Sequence, residues 1–86
     1  MDRYIKIKGD YMKENIKLYD ETGNAISCEM IGSFYSEETN HCYIIFKKED
    51  EKIYASRYIL ENNMLITKDI EEEKEWDIID KYLETI

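Results

Sequence analysis

The residues of this chain whose types most favour holding zinc or attacking a carbonyl are Cys28, His41 and Cys42. Zinc takes four ligands in a tetrahedral array, most often from short paired motifs. No Cys-x-x-Cys occurs here, and His41 and Cys42 are adjacent in a stretch that reads as a strand, so their side chains point to opposite faces. The same divergence is poor geometry for a cysteine nucleophile served by a histidine base. The bland readings are a histidine at a strand start and a cysteine packed as a small hydrophobe. The three glycines are isolated and form no phosphate-cradling loop. Carboxylates are abundant, but a general acid needs a protected pocket to raise its pKa, and most acids fall in turns or on the wet face of a helix. The expectation is a protein that is not an enzyme, with no catalytic residue, metal or cofactor.

Arg57 stands out because it lies in an otherwise mainly apolar strand, between Ser56 and Tyr58. One reading is structural: a partly buried guanidinium pairs with a carboxylate from the helix and lays its stem on a tyrosine. The functional reading is a bidentate anchor for a partner's carboxylate. The structural reading is preferred. Tyr54 and Tyr58 share its strand and line one face beside Leu60.

These residues must be positioned by short strands. Arg3 to Lys8 alternates and reads as an edge strand or a tail laid on the sheet. Asn15 to Tyr19, Ala25 to Phe34, His41 to Lys47, Ile53 to Leu60 and Met64 to Lys68 are the firmer strands, separated by polar turns. Ile26, Cys28, Met30 and Phe34 share one phase. Gly32 breaks the pattern and marks a bulge or a close approach by Trp76. Tyr43 to Phe46 is apolar throughout, as expected of a strand covered on both faces. With a hairpin closed by Ser33 to His41, Cys28 lies opposite a residue near Lys47 and about 17 Å from Cys42 at strand rise, too far for a bridge, so two free thiols are expected.

From about Glu71 the period changes to that of a helix. Trp76, Ile79, Leu83 and Ile86, with Ile78 and Tyr82, fall within an arc of roughly 160° at 100° per residue. Glu71, Glu72 and Glu73 occupy its positive end. The resulting fold class is α+β: an antiparallel meander of five or six strands with one C-terminal amphipathic helix packed on one face. Residues 1–14 are an N-terminal extension or edge strand, and 15–86 a single domain.

The order of segments resembles the small acidic bacterial family called domain of unknown function 1292. The resemblance rests on Ile16-Lys17-Leu18-Tyr19-Asp20-Glu21-Thr22-Gly23-Asn24, Cys28-Glu29-Met30-Ile31, Phe34 and Tyr43-Ile44-Ile45. It is strongest in Tyr54-Ala55-Ser56-Arg57-Tyr58 and in Ile70-Glu71 followed by Glu75-Trp76-Asp77-Ile78-Ile79. The chain departs from the family pattern at Asp69, where a proline is usual, and at Glu72, where a helix-capping threonine is frequent. The resemblance implies a compact cytoplasmic domain with no established activity and no catalytic residues to carry over.

The formal net charge is −8 and is unevenly spread. Residues 1–18 carry five cations and three acids, whereas residues 69–86 carry eight acids and two lysines. Such a surface repels phosphate backbones and anionic membranes and suits a basic protein. Neither an apolar run of membrane-spanning length nor a signal-peptide core is present, so a cytoplasmic location is expected. The leading expectation is a protein-interaction or regulatory domain, binding through an open sheet face or edge, with Arg57, Asp77, Asp80 and Glu84 as candidate partner-binding residues. The alternatives are a nucleic-acid mimic that blocks a basic nucleic-acid-binding protein, and a small enzyme with its site at an oligomer interface.

Overall fold

The computed structural model describes Ile5 and residues 14–85. Within them run β1 (Glu14–Tyr19), β2 (Ala25–Ser36), β3 (His41–Lys47), β4 (Ile53–Glu61), β5 (Met64–Lys68) and then α1 (Glu73–Leu83). The strand or tail expected at Arg3–Lys8 falls outside the described residues except for Ile5, which is buried. Ile86, the last member of the helical stripe, is also outside them.

Three of the turns use glycine or asparagine, which tolerate left-handed backbone, and the β3–β4 loop places Glu51 there at φ 67°. Gly23 carries the chain from β1 to β2 at φ 91°, and the Asp20 carboxylate accepts hydrogen bonds of 2.9 Å from the backbone N–H groups of Thr22 and Asn24. Between β4 and β5, Asn62 and Asn63 both adopt positive φ, 51° and 64°. Two consecutive positive φ values give the mirror-image turn whose twist matches a hairpin.

Neighbouring strands in sequence pair antiparallel, as a meander requires. The sheet does not stay open. β1 also pairs with β5, in parallel, through Leu18 with Leu65 and Tyr19 with Ile66, and the five strands form a closed barrel. The expected open meander is therefore corrected. Strand twist coils a small sheet, and an apolar face that no second layer covers is buried by rolling the sheet onto itself. The interior holds Leu18, Cys28, Ile44 and Phe46, packed by Ile16, Ile26, Met30, Tyr54, Tyr58 and Leu65.

A second cluster lies outside the barrel, under the helix. Ile31, Tyr43, Ile45 and Ile79 are its buried members, joined by Phe34, Ile53, Ala55, Ile70, Trp76, Tyr82 and Leu83. β3 stands between the two clusters. Ile44 and Phe46 face the interior while Tyr43 and Ile45 face the helix, which explains its unbroken apolar run.

One residue connects these arrangements. Met30 pairs with Phe46 and Gly32 with Ile45, so Ile31 is an extra residue in β2. Such a bulge moves every later side chain to the other face. Met30 thus belongs to the interior, and Phe34, in phase with it by simple alternation, belongs to the helix side. The single phase assigned to Ile26, Cys28, Met30 and Phe34 is corrected accordingly. Gly32 is both part of this bulge and a point of close approach, but the approaching ring is Tyr82 and not Trp76. A Cβ at Gly32 would fall on the Tyr82 hydroxyl and 3.2 Å from its Cζ. Tyr82 in turn stacks on Phe34 with centroids 4.3 Å apart.

Candidate functional site: the helix and the charge beneath it

The helix packs its apolar arc on the outer cluster, with Ile79 fully buried. One acid shares that arc. At 100° per residue, Glu75 sits about 40° from Ile79 and 20° from Tyr82, and its side chain is 1% exposed. Its Oε1 accepts from Arg57 Nε at 2.5 Å and from the Tyr43 hydroxyl at 2.7 Å. Its Oε2 accepts from the backbone N–H groups of Glu71 at 3.1 Å and Glu72 at 3.0 Å. The Tyr43 proton is committed to Glu75, so the Thr39 hydroxyl, 2.8 Å away, donates to Tyr43.

Four donors therefore converge on one buried carboxylate. Burial alone pushes its pKa up, but the bonds from Arg57, Tyr43 and the two backbone N–H groups outweigh that and hold it at about 2. The Arg57 guanidinium is raised further above its usual range, chiefly by its bond to Glu75. Burial, partly countered by Thr39 and reinforced by Glu75, raises the Tyr43 phenol. An ionised Glu75 cannot act as a general acid near neutral pH. Its bonds link the helix to the barrel. At the third helical position, Glu75 reaches back to the N–H groups of Glu71 and Glu72 just before the helix, while its other oxygen fastens the helix to β3 and β4.

The acids on the opposite side of the helix form a row. Glu73, Asp77, Asp80 and Glu84 recur at intervals of four, three and four, within an arc of about 60°. Glu73, Asp77 and Glu84 are exposed and Asp80 is half-buried. Among the described residues no three His, Cys, Asp or Glu side chains converge to hold a metal, and Cys28 and Cys42 are free thiols. No helix among them is long and apolar enough to cross a membrane.

The family described as "Protein of unknown function (DUF1292)" matches residues 21–86. This chain belongs to the DUF1292 family. A UPF0473 protein of Leuconostoc mesenteroides is 33% identical over 82 residues, covering 84% of this chain and 83% of its own. UPF0473 protein YrzB of Bacillus subtilis is 33% identical over 86 residues, covering 88% and 90%. No solved structure matches the chain.

In this DUF1292 protein the four candidate residues do not form one site. Arg57 lies beneath the helix, its side chain 17% exposed and bound to Glu75. Asp77 and Glu84 lie on the far side of the helix, exposed to solvent. Sequence reasoning missed Glu75, although the signal was present: a carboxylate inside an apolar helical arc, and an arginine inside an apolar strand.

Proposed function

We propose that this DUF1292 protein is a non-enzymatic interaction domain whose helix steers a basic protein partner. The observation that carries this reading is the segregation of charge across α1. The one carboxylate on the inner side is fully engaged, while Glu73, Asp77 and Glu84 are presented outward on a helix that Glu75 fixes in rotation. A rigid row of like charge focuses a field towards an oppositely charged partner and raises its rate of encounter.

The test is to immobilise the native protein and a D77K/D80K/E84K variant, and to quantify captured lysate proteins by mass spectrometry at low and raised salt. The native protein should retain a basic protein in a salt-sensitive manner, and the variant should retain markedly less. Equal capture by both would reject the steering role.

The row also favours a second reading. Its acids are separated along the helix axis by steps of about 4.5–6 Å at helical rise, a spaced array of the kind a phosphate mimic needs. Competition separates the two readings. Duplex DNA or RNA would displace the domain from a nucleic-acid-binding partner under mimicry, and would leave an ordinary docked complex intact.

A further inference from the structure

The helix covers only part of the barrel's outer surface, and a second outward apolar row crosses the seam that closes the barrel. Tyr19 on β1 pairs with Ile66 on β5, and Ile66 pairs with Ile59 on β4, placing the three side by side on one face. With Met64 they line a groove of about 310 Å³. Ile59 is 42% exposed and Met64 36%. Three acids, Asp20, Glu21 and Glu61, also line it. The Asp20 carboxylate is held below the usual range by hydrogen bonds from the Thr22 side chain and the Asn24 backbone, so it remains charged. Among the described residues Lys68 is the one cation lining the groove, and it stands 3.6 Å from Glu21.

We propose that this groove is a docking site for a short basic segment of a partner protein carrying one large apolar side chain. The apolar floor takes the anchor and the acidic rim takes the flanking lysines or arginines. Charge complementarity selects this occupant. A second copy of the chain would bring two acidic rims together on molecules of net charge −8, and an anionic lipid surface meets the same repulsion. The proposal rests on the interaction-domain reading but uses a surface distinct from the acidic row of α1.

The experiment titrates isotopically labelled protein with a capped hexapeptide in which one leucine is flanked by lysines and arginines, monitored by amide chemical shifts. Parallel titrations use the same peptide with serine for leucine, and with glutamate for every cation. The expected result is saturable shifts centred on Tyr19, Ile59, Met64 and Ile66. Affinity should fall at least tenfold for the serine peptide and for the Ile59→Ser protein, and binding should vanish for the glutamate peptide. Leu60→Ser, one residue along on the other phase of β4, should bind as the native protein does. Shifts confined to Asp77, Asp80 and Glu84, unaffected by Ile59→Ser, would overturn the groove while leaving helix steering intact. Shifts at the groove that appear on raising protein concentration without peptide would overturn it in favour of self-association. Absence of shifts with every peptide would also overturn it, whatever the lysate capture shows.

Discussion

Glu75 Oε1 lies 2.5 Å from Nε of Arg57, a residue eighteen positions earlier in the chain, and this pair joins the helix to the barrel. The carboxylate is fully buried and the guanidinium mostly so. Removing one partner of such a pair leaves an uncompensated charge, which costs about 3–5 kcal/mol. Glu75→Gln should therefore lower the urea midpoint and melting temperature strongly. Replacing both partners, as Arg57→Met with Glu75→Leu, should recover much of that loss, because a buried pair is worth little against well-packed apolar side chains. Equilibrium unfolding of Arg57→Met, Glu75→Leu and the double variant would give the coupling directly.

The same carboxylate sets a pH dependence. Its pKa is about 2 in the folded protein, against an ordinary value of 4.5. A depressed acid contributes stability that is fully present above its unfolded pKa and is lost as pH falls through its folded pKa. The expected contribution is roughly 3 kcal/mol, declining between about pH 4.5 and 2. Denaturant midpoints measured across that range should fall in the native protein and fall less steeply in Glu75→Gln.

Gly32→Ala tests the contact between β2 and the helix. Its new methyl group would collide with the Tyr82 ring, and overpacking of this kind costs about 1–3 kcal/mol. Tyr82→Phe in the same background removes the nearest atom but leaves the ring, so it should recover only part of the loss. Thermal unfolding of the single and double variants would measure this.

Thiol accessibility gives a check on the barrel interior. Cys28 is 7% exposed and packed among the interior residues, and burial raises its thiol above the usual range. Cys42 is half-buried. Alkylation of the native protein followed by mass mapping should modify Cys42 first, and both cysteines should react at similar rates in denaturant.

Much of the fold was legible because its signals are local. The mainly apolar stretch from Ile53 to Leu60 placed β4, the apolar run at Tyr43 to Phe46 announced a strand covered on both faces, and the 3.6-residue period placed α1. Closure of the barrel was not legible. It depends on pairing between the first and last strands at Leu18 with Leu65 and Tyr19 with Ile66, a long-range contact that leaves no periodic mark in either segment. Gly32 signals the break in alternation, but not that one residue is inserted at Ile31, so Phe34 is placed in the wrong phase when the pattern is carried across it. Glu75 was overlooked for a simpler reason: it stands among other acids at a helix start, where a carboxylate is ordinary.

The closing seam also bears on how the chain is made. The ring is completed by β5 and the outer cluster is covered by α1, and both are synthesised after β1 to β4. Until residues 64–85 have left the ribosome, the nascent chain has neither its final stave nor its lid, and both oily surfaces stand open. A premature stop within that stretch would yield a polypeptide that cannot shield either one, and a target for proteolysis.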